Sequence, residues 1–329
     1  LGIPFAGHVP VAAGVDEALR LRIATIDHLD GYFVALLPAD SYQSGGYGGP
    51  FDVMLAAELE PDGIDAIAAA TAAAGTWNVA TQVLIENMLS DESTDELVGR
   101  PEMRYMPEST VQRWAERKQA QTAERGFDPG NAALAIEVRR QLIFALHEAG
   151  AGLLLGSDAP QLFNVPGFSL HRELDTLVAS GLTPFEALQT GTTAVASFLG
   201  TNTGVVAAGR DADLLLLDAN PLEDIANSRR IHGVMLRGWW LSETAIESRL
   251  EEYRDALGGD AEVRLMTQQH WPFENTIVGL ISLEELNDRP SDDEPDEGAE
   301  RDENADPVVY IVEGRQLGYG RKQAWEVAY

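Results

Sequence analysis

The sequence predicts an α/β chain, a parallel sheet covered by helices and followed by a small β subdomain, and three observations carry that prediction. Short apolar runs alternate with helical patterns four times within residues 1 to 200. The runs are continuously apolar rather than alternating, as strands buried on both faces are. From Gly204 the texture changes to closely spaced strand-like segments separated by turns.

Taken in order, Ile3 to Gly7 reads as the first strand and PVAAGVDEALRL as the helix after it. IATID, residues 23 to 27, is the second strand. SGGYGG, residues 44 to 49, does not sit as a phosphate-cradling turn between a strand and a helix, so it reads as a loop with the makings of a lid. Gly63 to Ala74 reads as a helix and Trp77 to Ile85 as the third strand. Residues 90 to 130 read as an inserted excursion containing helix-like STVQRWAERKQAQTAE. Asn131 to Ala149 is a long amphipathic helix, and GLLLGSDAP, residues 152 to 160, is a buried strand ending in polar residues. HRELDTLVASG and TPFEALQTGTTAVASFLG are helical, the second opened by a Thr-Pro start signal.

GVVAAGRDADLLLLDANPLEDI and IHGVMLRGWWL read as short strands, with Trp239 and Trp240 as packing inside the subdomain. The expected division is therefore 1–200 for the sheet-and-helix domain, 201–246 for the β subdomain and 247–329 for a C-terminal extension. That extension holds three strand-like or short helical runs around residues 291–306, an acidic stretch with nine carboxylates and one Arg that reads as a solvated linker.

Composition removes several function classes. A net charge of -30 repels nucleic acid and anionic membrane surfaces, so neither is an expected partner. With no cysteine, disulfides, thiolate nucleophiles and Cys-based metal sites are excluded, and any metal must sit on His and carboxylate. Lys118 and Lys322 are the only lysines, a bias that suits a salty habitat or a strongly solvated exported protein. No stretch reaches the roughly 20 apolar residues of a membrane helix. LGIPFAGHVP has no basic region before an apolar one, and since the sequence starts at Leu the compartment stays open.

The chemistry concentrates at three strand ends. His8 ends the first strand in GHVP, His28 the second in ATIDHLDG, and Asp158 the fourth in LLLGSDAP. In a parallel α/β barrel the strand C-termini converge on one face, so side chains 150 positions apart can meet. Two imidazoles and a carboxylate suit zinc or a similar divalent cation, which brings the pKa of its water down to about 7, with the carboxylate beside it as base. Taken singly, a His at a strand end is more often structural and an Asp more often a cap. Elsewhere, His147 with Glu148 lacks the second His of a zinc-protease helix and reads as a helix-end residue. His171 opens a helix beyond Asp158 and is a weaker candidate for facing the substrate. There is no GxSxG elbow.

The ordered set GHVP, ATIDHLDGY, GSDAP, SLHRELDTLVASGLTPFEALQTGTTAVASFLG and GRDADLLLLDANPLEDI resembles the amidohydrolase superfamily over residues 1 to about 241, in particular its imidazolonepropionase-like and Xaa-Pro dipeptidase-like branch. The resemblance implies the second half, strands 5 to 8, of a TIM-like barrel with part of a small β subdomain. It implies that His8 and His28 are the metal-ligating histidines after the fifth and sixth strands. Asp158 corresponds to the Asp after the eighth strand, which binds metal and shuttles a proton. The implied activity is metal-dependent hydrolysis of C–N bonds in small molecules such as dipeptides or cyclic amides, with one or two zinc ions. The family's first-strand His-x-His is absent, since no two of the six histidines are two apart. The expectation is thus a site completed by a preceding half, with a homo-oligomer as the other way to cover the open barrel. The alternative is a non-catalytic module using the half-barrel as a scaffold.

Overall fold

A computed structural model describes residues 4–10, 12–38, 50–123 and 127–257. SGGYGG, His270, the acidic run and the three strand-like runs of the extension lie outside these residues.

Helix α1 (Gly14–Arg20) precedes strand β1 (Thr25–Asp27), and α2 (Tyr32–Ala35) and α3 (Ile64–Ala74) precede β2 (Trp77–Val79). Four helices then intervene: α4 (Gln82–Leu89), α5 (Thr94–Val98), α6 (Glu108–Ala123) and α7 (Pro129–Glu148). Strand β3 (Gly152–Leu154) is followed by α8 (Phe168–Ala179), α9 (Pro184–Thr190) and α10 (Thr193–Leu199). β1, β2 and β3 pair in parallel in that order, with Ile26 beside Asn78 and Asn78 beside Leu153. The chain at Gly7 adds a fourth parallel segment by bridging Ile26. Each strand thus lies beside the next one along the chain with helices in the crossover, as parallel sheets require. Among the described residues, no further strand pairs with the Gly7 segment or with the far side of β3.

Helix α7 packs on β3, and its Leu142, Ile143 and Leu146 are fully buried in the core cluster that also holds Ile26 and Leu153. Burying each such side chain contributes about 1.5–3 kcal/mol. The ends of α7 and α9 are set locally. Asp128 caps α7 by accepting from Gly130 N (2.7 Å) and Asn131 N (3.2 Å), with Pro129 in the first turn. Thr183 and Glu186 form a capping box on α9. Gly152 must be glycine because a Cβ there would come within 2.1 Å of the Trp77 ring lying across it.

The expectation of a strand from Trp77 to Ile85 needs correcting: pairing stops at Val79 and Gln82–Leu89 is helix. Two features break the strand. Thr81 is left-handed at φ 46, and the buried carboxylate of Glu173 accepts from Gln82 N (2.9 Å) and Val83 N (2.7 Å), which anchors the start of α4.

Beyond Gly204, β4 (Leu214–Leu217), β5 (Ile231–Leu236) and β6 (Trp239–Ser242) form an antiparallel sheet. Arg237 and Gly238, both left-handed, make the two-residue turn between β5 and β6. Trp240 packs its ring over Gly233. Trp239 and Trp240 are 62% and 45% exposed, so the packing of Trp240 lies on the surface of the sheet. Helix α11 (Glu243–Leu257) runs straight through residue 246, where a boundary was expected, and Leu250 and Tyr253 pack on a cluster of Leu97, Tyr105, Trp114 and Phe163 from the 90–130 excursion and the loop after β3. Among the described residues no helix is long and apolar enough to cross a membrane.

Candidate metal centre

Three strand ends face one another, and each turns through a left-handed non-glycine residue. After β1 comes His28 (φ 57), after β2 Thr81 (φ 46) and after β3 Asp158 (φ 55). Each costs about 1–2 kcal/mol relative to a right-handed or extended residue, most for β-branched Thr81, so surrounding contacts must hold them.

Those contacts come from buried polar side chains. The guanidinium of Arg139, on α7 and 1% exposed, donates to the carbonyls of His28 (2.8 Å) and Ala80 (2.8 Å) and to the side-chain oxygen of Gln82 (2.9 Å). One cation thereby ties the turn after β1 to the turn after β2. Burial pushes that guanidinium down to about 10, so it remains charged at neutral pH. The Asp158 turn is held separately. Asn164 donates to the carbonyl of Ser157, Asn87 donates to Asn164 Oδ1 (2.8 Å), and Arg100 donates to Asn87 Oδ1 (2.9 Å).

Within this frame the structure brings His8, His28 and Asp158 together. The His8 and His28 rings lie 4.8 Å apart between centroids, and His28 Nε2 is 3.7 Å from Asp158 Oδ2. Each histidine is oriented by a second side chain on its other nitrogen: His8 Nδ1 meets Asp30 Oδ2 at 2.6 Å, and His28 Nδ1 meets the Thr81 hydroxyl at 2.8 Å. The side-chain amide of Gln161 donates to Asp158 Oδ2. His28 is buried, and burial, reinforced by His8 and Arg139, lowers its pKa to about 3. It is therefore a neutral imidazole across the physiological range. His8 is about half exposed, and the Asp30 carboxylate raises its pKa. Asp27, inside β1, is half-buried, and the loss of solvent around it pushes its carboxyl up to about 7.

The donor set fits a cation. A neutral imidazole nitrogen and a carboxylate oxygen 3.7 Å apart are too far for a hydrogen bond. Two ligands on one ion with bonds of about 2.0–2.2 Å stand roughly 3.4 Å apart, close to that separation. A histidine whose second nitrogen is held by a hydroxyl or carboxylate is the usual outer support of a metal ligand.

His171 takes another place: its Nδ1 meets Ser228 Oγ at 2.9 Å, and burial followed by Arg229 lowers its pKa to about 4, so its contact is with the small-sheet region. His147 pairs with Glu186 at 3.3 Å near the end of α7. Sequence reasoning missed Asp27, Asp30, Thr81, Arg139 and Glu173. The first two sat in view, flanking His28 in IDHLD; the others lie in distant segments with no local mark. It also missed a group on the small sheet. Among the described residues Asp218, His232 and Glu243 bring one ligating atom each within 4.8 Å of the others.

A sequence comparison with curated proteins finds no match. Among solved structures, a bottromycin amidohydrolase is 26% identical, with 78% of this chain and 54% of that chain covered and a TM-score of 0.56. A Xaa-Pro dipeptidase with bound methionine is 16% identical (73% and 45% covered, TM-score 0.44), and a prolidase described as putative from Bifidobacterium longum is 22% identical (77% and 51%, TM-score 0.43). This chain spans about half the length of each. The model of the amidohydrolase family matches residues 53–241, more than half of the sequence and the stretch that carries β2, β3, Asp158 and the small sheet, and the chain belongs to that family.

Proposed function

We propose that this chain supplies the second half of a metal-dependent amidohydrolase site that cleaves amide or cyclic-amide C–N bonds in small molecules, dipeptides included. The reading rests above all on the 3.7 Å approach of a neutral, buried His28 nitrogen to the Asp158 carboxylate. His8, His28 and Asp158 are the proposed ligands and Asp158 the proposed proton carrier. A divalent cation held there, zinc by its donor chemistry, would polarise the scissile carbonyl and ease deprotonation of water near neutral pH.

The chain's own residues do the rest. Thr81 and Asp30 orient the two imidazoles, and Gln161 orients Asp158. Asp158 takes a proton from the attacking water at its carboxylate and delivers it to the departing nitrogen as the C–O bond forms and the C–N bond breaks. Two nitrogens and one carboxylate fall short of the three or more protein ligands each ion of a two-metal site requires. A first half carrying His-x-His and a bridging ligand is therefore part of the proposal. Support comes from the two sheet sides left without a strand partner among the described residues, and from the half-length match to the solved structures.

The test joins this chain to an amidohydrolase first half, then measures metal content after gel filtration and hydrolysis of a dipeptide panel. The joined protein should hold zinc at His8, His28 and Asp158 and turn over, the chain alone should turn over poorly, and Asp158→Asn in the joined protein should cut turnover by about 10²–10⁴-fold with a smaller loss of metal. Metal retention without hydrolysis of any amide would favour the scaffold alternative. Full zinc loading and robust turnover by residues 1–329 alone would show that the site is built from other residues.

A further inference from the structure

We infer that the small sheet carries a second divalent-cation site, formed by Asp218, His232 and Glu243. The three residues come from successive elements: Asp218 follows β4, His232 lies in β5, and Glu243 opens α11 directly after β6. Their placement follows from the sheet register. Leu216 pairs with Gly233 but Leu217 with Ile231, so His232 is the extra residue of a β-bulge. A bulge re-aims the side chain it leaves unpaired. Here His232 Nδ1 comes to 3.0 Å from Asp218 Oδ1, while Asp218 N continues the ladder by donating to the Arg230 carbonyl (2.8 Å). On the other side Gly233 pairs with Ser242, and one further step along that register sets Glu243 opposite His232. One nitrogen and two carboxylate oxygens thus converge within 4.8 Å.

The chemistry selects the ligand class. Zinc bonds of about 2.0–2.2 Å bring such donors to roughly 3.4 Å from one another, a closure that exposed side chains reach by rotation. An imidazole among only two carboxylates suits zinc or a neighbouring transition ion better than calcium, which takes six to eight oxygens. Among the described residues neither carboxylate is ion-paired with Arg or Lys, and the chain's charge of -30 draws cations in general. A bound ion would clamp β4, β5 and the first turn of α11, the helix that docks Leu250 and Tyr253 on the Trp114 cluster.

The experiment is calorimetric zinc titration of the metal-free 329-residue chain and of His232→Ala, Glu243→Gln and Asp158→Asn. All three ligand residues of the small-sheet site are exposed, so the first two substitutions leave the packing intact. His232→Ala should remove one binding equivalent, Glu243→Gln should weaken the same event roughly tenfold or more, and Asp158→Asn should leave it untouched. Zinc should also raise the thermal midpoint of the wild type by more than that of His232→Ala. Equal stoichiometry and affinity in wild type and His232→Ala overturns the site; because Asp158→Asn reports on the other centre, that result leaves the amidohydrolase reading standing or falling on its own arm.

Discussion

Arg139 Nη1 donates a hydrogen bond of 2.8 Å to the carbonyl of His28 from a guanidinium that is 1% exposed, so the strained turn carrying a proposed metal ligand is held from below by a buried cation on a helix 111 residues further along the chain. The same group holds Ala80 and Gln82 across the next turn.

Removing that cation should be costly. Arg139→Ala strands three acceptors in the interior and should lower unfolding free energy by about 3–5 kcal/mol. Arg139→Lys keeps the charge but loses the planar fork, so it should cost less, about 1–3 kcal/mol. Urea unfolding of both variants checks this; an Arg139→Ala protein as stable as the parent would mean that the turns hold themselves.

Glu173 gives a pH dependence with a definite sign. Burial pushes its carboxyl up to about 7, against the pull of the Val83 and Gln82 N–H groups. In the unfolded chain it titrates near 4.3. Between about pH 4.5 and 7 the folded state therefore keeps a proton that the unfolded state has released, and this residue's contribution to stability falls as pH rises through that window. Glu173→Gln cannot titrate, so the stability difference between parent and variant should drift by on the order of 3 kcal/mol across it, in the variant's favour at the upper end. Asp27, also raised to about 7, is present in both proteins and cancels. A pH-independent difference in urea unfolding would refute the assignment.

Thr81 should matter for metal rather than for bulk stability. Thr81→Val keeps the side-chain volume and removes the hydroxyl that holds His28 Nδ1 at 2.8 Å. In the joined, metal-loaded protein this should lower metal affinity roughly 10–100-fold, as loss of an outer hydrogen-bond partner does. Competition with a chelator measures it; affinity unchanged within twofold would remove Thr81 from the site.

The open sheet predicts association. The outer side of the Gly7 segment and the far side of β3 have no strand neighbour among the described residues, and Phe5 in the first of these is 45% exposed. Parallel sheets are ordinarily covered on both faces and closed or protected at their edges. The isolated chain should therefore elute from gel filtration with light scattering as a dimer or larger. A monodisperse, cooperatively unfolding monomer would count against the half-barrel proposal.

What the sequence determined by itself is what depends on neighbours in the chain. The helices at Ile64–Ala74 and Pro129–Glu148, the Thr183 start of α9 and the strand Thr25–Asp27 that ends at His28 were legible because apolar period and capping chemistry act over three or four residues. The tertiary structure alone decided the rest. Nothing local in WNVATQVLIENM says that pairing stops at Val79; the Glu173 carboxylate, 91 residues from Gln82, supplies the anchor that makes the following residues helical. Arg139 and Glu173 are charged residues on helices, which a sequence reading assigns to solvent, and only the packed sheet shows them buried on backbone groups of other turns. Asp218, His232 and Glu243 are ordinary polar residues until a one-residue bulge in β5 re-aims the histidine. In each case the deciding partner is remote in sequence, so its effect exists only once the chain has folded.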